Sequence, residues 1–368
     1  MNKPLSIGLV GLIAAGHSGI PRYARAVTRG LDAASRDFPD LELTLFTTPD
    51  GAEAVGARNI AVRELALRTA RVNEGPGRIL AEQLVAATRR ADLLHFFDLT
   101  GPLLAPWRPF LATVHDVSSA PGLARRRHGY KRIVWPWAAR RARALVAVSR
   151  FAGEETARRL GVPCDKIAVI HSGPGFMDSA PGQNGAAAPD APYFLYVGDL
   201  AGRKNVPFLI RAFDRADLAA DLLLVGRADD DYGEIRAELG RARHPDRIRF
   251  VQGASDRDVD ALYRSALALV MPSRYEGFGF TPLEAMARAC PVLASDIPAH
   301  REVSGTGALL VPLDEGRWAE SLQRLAADDA LRADLRERGR ETVARYSWDE
   351  TARSLCRLFL AAGGRHRR

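Results

Sequence analysis

Two carboxylates eight residues apart, Glu276 and Glu284, stand in "RYEGFGFTPLEAM", residues 274–286, among glycines, aromatics, a threonine and a proline. An ionised carboxylate is a pure acceptor and can hold a vicinal diol with both oxygens. The residues between them read as a helix start, with Thr281 as N-cap, Pro282 at the first helical position and Glu284 three residues past the cap. Such a start presents free amides and about half a positive charge, which suits a phosphate. Pro282 has no amide to offer, so the donors are those of Phe280, Thr281 and Leu283, while Gly277-Phe278-Gly279 lets backbone come close to a ligand. Phosphate, diol and a second polyol together describe a nucleotide sugar. Taken alone, the pair reads more plainly as a helix cap beside a surface carboxylate.

Three further constellations have chemistry to offer. Gly198 to Asn205, "GDLAGRKN", sets a glycine turn beside Arg203 and Lys204, two cations that can neutralise a diphosphate. Its plain alternative is a basic loop. His115 in "TVHDV" follows an apolar run and can hydrogen-bond a reacting sugar or phosphate, or be an ordinary turn histidine. Gly16 to Tyr23, "GHSGIPRY", is a glycine loop at a helix start, a weak anion site by itself.

The elements that must position these residues alternate. "LSIGLVGL", "LELTLFTT", "DLLHFF", "FLATVHD", "ALVAVS" and "IAVIHSG" are strand-like and are interleaved with helical stretches such as 19–36 and 76–91. After "SAPGQNGAAAPDAP", a nearly uncharged linker at 179–192, the alternation starts again with "YFLYVGDL", "DLLLVGRA", "IRFVQG", "LALVMPS", "PVLASD" and "GALLVP". This is an α/β pattern: two Rossmann-like, doubly wound domains, 1–178 and 193–347, facing a cleft, with 348–368 as a final amphipathic helix and tail. In such sheets ligands sit beyond the carboxyl ends of the strands, where the four constellations fall.

Composition narrows the classes. The 368 residues exceed what one core usually serves, and 47% are hydrophobic. No run approaches the roughly 20 apolar residues of a membrane span. Leu5 to Ala15 superficially resembles a signal sequence, but Gly8 and Gly11 interrupt it and a polar turn follows, which favours a buried first strand. Cys164, Cys290 and Cys356 have no metal-ligand spacing, and their isolation fits a reducing cytoplasm. Asp229-Asp230-Asp231 reads as solvated surface. The net charge of +8 suggests an anionic partner. Residues 125–143, "RRRHGYKRIVWPWAARRAR", carry eight cations, no acid, and Tyr130, Trp135 and Trp137. The segment reads as basic surface helix split by Pro136, or as an interfacial stretch touching anionic lipid or a phosphorylated acceptor. Nucleic acid has no supporting signature.

"HSGIPRY", "TVHDV", "AVSRFA" (147–152), "YVGDLAGRKN" (196–205), "LLLVG" (222–226), residues 248–287 and "PVLASD" (291–296), in this order, resemble the retaining GT-B glycosyltransferases of the group 1 type, glycosyltransferase family 4. The long piece holds an E-x7-E motif. "GIPRY" and "GRKN" resemble bacterial mannosyl- and rhamnosyltransferases of surface polysaccharide assembly. The resemblance implies a retaining, metal-independent transferase with no required cofactor. It would move a hexose from a GDP- or UDP-sugar to an acceptor hydroxyl in polysaccharide, glycolipid or glycoconjugate biosynthesis. Glu284 would bind the ribose, and Glu276 the transferred sugar. Gly198, Gly277, Phe278 and the amides around Gly279, Phe280 and Thr281 would hold sugar and diphosphate. Arg203 and Lys204 would stabilise the leaving group, His115 would sit near the sugar, and Gly16 to Gly19 would close over the phosphates. The last helix would pack on the first domain. His17, Arg22, Tyr130, Trp135 and Trp137 are the candidates for a sugar or lipid-linked acceptor or an anionic membrane surface, which implies a cytoplasmic protein peripheral on the inner face of the membrane. Asp199 and Ala289 depart from the family pattern, where Arg or Thr and Gly are usual; a left-handed turn at Ala289 would be strained. A nucleotide-sugar epimerase on the same fold, or a non-catalytic nucleotide-sugar-binding protein, are the alternatives.

Overall fold

The computed structural model describes residues 3–15, 19–65, 76–117, 131–175, 191–227 and 232–364. The chain forms two units, Met1–Gly173 with Tyr346–Arg368, and Pro174–Arg345. Most of the expected linker, 179–192, lies outside the described residues, as do Gly16, His17, Tyr130 and the 229–231 triplet.

In the first unit, strands β1 (Leu5–Val10), β2 (Leu41–Thr47), β3 (Ala61–Glu64), β4 (Leu93–Phe96), β5 (Phe110–Val114), β6 (Ala144–Ala147) and β7 (Ile167–Val169) form one sheet. Its order is β3-β2-β1-β4-β5-β6-β7, and every pairing is parallel, with β1 held between Leu41–Phe46 and Leu93–Phe96. β4, β5 and β6 are buried at every position, as a sheet covered on both faces requires. In the second unit, β8 (Tyr193–Val197), β9 (Asp221–Val225), β10 (Ile248–Val251), β11 (Ala268–Met271), β12 (Val292–Ser295) and β13 (Leu309–Val311) take the order β10-β9-β8-β11-β12-β13, again all parallel. Both sheets reverse their strand order beside the first strand, between β1 and β4 and between β8 and β11. At such a switch point the loops leave in opposite directions and open a crevice.

The last helix, Trp348–Gly364, belongs to the first unit. The Trp348 ring meets Tyr23 edge-on at 5.8 Å, Phe359 meets His95 at 5.4 Å, and Thr351 donates to the His171 carbonyl at 2.7 Å. Backbone contact is close enough that a Cβ at Gly30 would lie 2.9 Å from the Trp348 carbonyl oxygen.

Pro136 does not split the basic segment. One helix, Lys131–Arg141, runs through it. Proline removes a backbone hydrogen bond there, but Trp135, Ala138 and Ala139 are buried against β4 and β5 and hold the helix in place. Trp135 is therefore core, and Trp137 stacks on Phe110 at 6.2 Å with an interplanar angle of 12°. Burial takes Trp135 out of the membrane or acceptor role expected of it, whereas Trp137 keeps part of its ring at the surface.

Candidate functional site

The switch point of the second sheet is occupied by the two cations and one of the two glutamates singled out above. β8 ends at Val197 and runs into Gly198. The backbone here is tight, because a Cβ at Gly226, beyond β9, would lie 1.9 Å from the Gly198 carbonyl oxygen. The chain then makes a 3-10 turn, Gly202–Lys204, that ends on Asn205 in the left-handed region, φ 59°. Asparagine tolerates that conformation. From the neighbouring strand, β11, the chain continues through Ser273 to Glu276, and the Arg274 amide donates to the Arg203 carbonyl at 2.8 Å. That backbone bond joins the two motifs.

Glu276 is 6% exposed and its carboxylate is saturated. Lys204 Nζ lies 2.6 Å from Oε1, Arg203 Nη1 donates to Oε2 at 3.1 Å, and Ser273 Oγ donates to Oε1 at 2.6 Å. Burial works against ionising Glu276, but Lys204 and then Arg203 outweigh it and hold the carboxyl down to about 2. The side chain of Arg203 is 38% exposed while that of Lys204 is 11%, so the cluster opens on the arginine side. Asp199 pairs with the exposed Arg227 at 3.2 Å.

Glu284 is held separately. It is 4% exposed and accepts from Tyr263 Oη at 3.3 Å. The backbone of Gly175 crosses it so closely that a Cβ there would fall 1.8 Å from Glu284 Cγ. The expected cap is corrected: the helix is Phe280–Met286, its N-cap is Gly279 in the left-handed region at φ 96°, and no side chain caps it. Glu284 lies in the second half of that helix, too far along to close a capping box. Gly277, Phe278 and Gly279 are buried, Phe280 and Thr281 half-buried, and the two phenylalanine rings tilt together at 4.9 Å. Ala289 does adopt the left-handed turn, φ 54°.

Sequence reasoning missed His300. The residue is completely buried in the helix Pro298–Val303 that follows β12. Its Nδ1 donates to the Ser295 carbonyl at 2.9 Å, whereas its Nε2 has no hydrogen-bond partner. A Cβ at Gly279 would touch the ring at 3.4 Å. Burial pushes the imidazole pKa down, against the pull of Glu276, so the ring is neutral and Nε2 is an acceptor aimed at the Gly279 turn. "IPAHREV" has no spacing that marks this histidine. Ser273, Tyr263 and Gly175 were also unmarked.

In the first unit, His115 follows β5 and donates from Nε2 to the Phe97 carbonyl at 2.9 Å, with its ring 4.6 Å from Tyr23. Burial lowers its pKa although Asp98 opposes this. Asp98 itself is paired with Arg78 at 3.3 Å, and Arg78 with Glu82 at 3.0 Å, next to the β1–β4 switch point. Gly19 opens the helix Gly19–Ala34, with Arg22 half-buried one turn in. Among the described residues no cluster of three or more His, Cys, Asp or Glu could hold a metal ion.

Residues 183–342 match the family described as Glycosyl transferases group 1, and residues 17–173 match Glycosyltransferase Family 4. The chain is 30% identical over 225 residues to the O-antigen chain mannosyltransferase RfbU of Salmonella typhimurium, covering 60% of each chain. It is 29% identical over 238 residues to a D-inositol 3-phosphate glycosyltransferase of Xylanimonas cellulosilytica, covering 60% of this chain and 57% of that one. The chain thus spans about 60% of the length of the curated relatives it matches. In fold it is similar to a sucrose-phosphate synthase from Thermosynechococcus elongatus, with a TM-score of 0.70 and 23% identity over 98% of this chain and 99% of that one. It is also similar to Anabaena HepE, solved in complex with UDP-glucose, with a TM-score of 0.71 and 17% identity over 97% of this chain and 100% of that one.

Proposed function

Because the chain belongs to the group 1 glycosyltransferases of family 4, we propose that it is a retaining transferase that moves a hexose from a nucleoside diphosphate sugar to an acceptor hydroxyl. The observation that carries the reading is the Glu276–Lys204–Arg203 cluster at the β8–β11 switch point. Glu276 is the anion paired with both cations. A diphosphate, with more charge and more acceptor oxygens, competes for them. As Arg203 and Lys204 turn to the diphosphate, Glu276 is released toward the hydroxyls of the sugar and the positive charge developing at its anomeric carbon. Glu284, beside Gly175, takes the ribose diol, which the UDP-glucose bound by HepE would present in the same fold.

In the reaction the bond from the anomeric carbon to the diphosphate oxygen breaks, and its electron pair leaves with the phosphate. The acceptor oxygen bonds to the anomeric carbon on the same face, and its proton passes to the leaving phosphate oxygen. Arg203 and Lys204 stabilise the charge on the leaving group where other enzymes use a metal ion. This is the basis for proposing metal independence. His115 would contact the sugar, and the acceptor would be a carbohydrate or a lipid-linked carbohydrate of polysaccharide assembly, as the name of RfbU implies for that protein.

The test is donor hydrolysis and transfer by Glu276→Ala, Glu284→Ala and Lys204→Ala, after a thermal-shift screen of UDP-, GDP-, TDP- and ADP-sugars has identified the donor. Each variant should lose on the order of a hundredfold or more in kcat/KM. Rates equal to the parent protein's in all three would end the assignment. Turnover of the donor without any acceptor to an epimeric sugar would convert it to the epimerase reading.

A further inference from the structure

One face of the first sheet is covered by three segments: the helix Pro76–Thr88, the connection 97–109, and the helix Lys131–Arg141. They bury Ala81, Val85, Leu99, Trp135, Ala138 and Ala139 against the sheet. Side-chain bonds strap the connection to both helices. Gln83 donates to the Gly101 carbonyl at 2.9 Å and accepts from the Leu104 amide at 3.1 Å. Arg108 donates to the carbonyl of Arg89 at 2.9 Å, and Arg141 to that of Pro106 at 2.7 Å.

The outer side of this layer is unusual. Seven large hydrophobic side chains are exposed among the described residues, and five are here: Leu80 (57%), Leu84 (47%), Leu104 (57%), Trp107 (73%) and Ile133 (77%). Leu80 and Leu84 are one helical turn apart and share a face. Arg89, Arg90, Arg132, Arg140 and Arg141, on or just after the same two helices, are exposed as well. The three segments themselves hold two carboxylates, Glu82, buried against Arg78, and Asp98, half-buried on the same arginine, while Asp92, just past Arg89 and Arg90, is exposed and accepts from the Ser6 amide at 2.9 Å. Separated apolar side chains, one of them a tryptophan, on segments that also carry exposed arginines match the boundary between lipid headgroups and acyl chains. An acidic protein would satisfy the arginines but leave the apolar side chains without reason to be spread over three segments.

We infer that this face docks the protein on an anionic phospholipid surface, with Trp107 and Leu104 entering the headgroup layer and the arginines on lipid phosphates. It takes over the role that the sequence assigns to Trp135. The inference stands apart from the donor site, so either can fail without the other.

The experiment is co-sedimentation of the full chain with vesicles of phosphatidylglycerol and phosphatidylcholine, and with vesicles of phosphatidylcholine alone. The protein should sediment with the anionic vesicles, weakly with the neutral ones, and less as salt rises. Leu104→Ser with Trp107→Ser should abolish binding, and Arg132→Glu with Arg140→Glu should weaken it more than tenfold, at about fivefold for each cation removed. All four side chains are exposed, so melting temperatures and donor hydrolysis should stay unchanged. Equal binding to neutral vesicles, or undiminished binding by both double variants, overturns the inference. A dimer seen by light scattering without vesicles, and lost in Leu104→Ser/Trp107→Ser, overturns it too and gives the face to a second copy of the chain.

Discussion

Glu276 is bound by two cations and a serine, which makes its neighbours as informative as itself. Replacing Lys204 by Met leaves a buried carboxylate short of a partner, a change that typically costs about 3–5 kcal/mol in buried pairs and less here because Arg203 remains. The double variant Lys204→Met/Glu276→Gln should recover most of that loss in urea melts, yet neither protein should bind the donor in calorimetry. Recovery of donor binding together with stability would show that the cluster is a structural ion pair. Glu284 offers a test that alters no carboxylate. Gly175→Ala puts a methyl group where Glu284 Cγ already lies, so donor affinity should drop about tenfold or more. That Glu276, Arg203 and Lys204 belong to one site was legible from charge type and motif, and their side chains do meet. His300 was not, because its importance comes from a buried Nε2 without a partner, and burial of one ring atom leaves no trace in a six-residue helix.

At the scale of elements, the alternation of apolar runs and amphipathic stretches located the strands except β3, because a parallel sheet covered on both faces demands continuous hydrophobic segments, whereas β3, Ala61–Glu64, is a largely exposed edge strand with no apolar run. Caps and turns were less legible. "TPLE" has the composition of a helix start, but the chain enters the helix two residues earlier through Gly279, whose positive φ no side-chain cap can replace. Pro136 likewise looks like a breaker, and the burial of Trp135 overrides it. Ala289 is the reverse case: the strain expected of an alanine in a left-handed turn is present, φ 54°. Ala289→Gly should therefore stabilise the protein by about 1 kcal/mol in chemical denaturation. A destabilised variant would mean that the turn is held by something other than its backbone preference.

At the scale of the whole molecule, burial lowers the pKa of three histidines among the described residues, His95 and His115 in the first unit and His300 in the second. Burial takes His95 down to about 3. A histidine whose folded pKa lies below its unfolded value binds protons mainly when unfolded. Stability is then full above about 6.5 and falls as the pH drops toward the folded pKa. For His95 the loss at pH 5 is about 2 kcal/mol. Glu276 adds to the loss only below about 4.5, as it is protonated in the unfolded chain first. Urea midpoints should therefore fall between pH 7.5 and pH 5, and His95→Asn should flatten that fall. An unchanged slope in the variant would remove His95 from the account.

The helix Trp348–Gly364 completes a unit that began at the other end of the chain. During synthesis, the first unit emerges without it and waits for the whole of the second, on the order of 10–30 s at ribosomal speeds. Over that interval Leu5, Tyr23 and His95 lack the partners that Gly363, Trp348 and Phe359 later supply. The second unit is continuous in sequence and needs no such delay. The order of assembly is thus set against the order of synthesis: the half made last is the first that can finish folding, and the half made first is sealed only by the final helix.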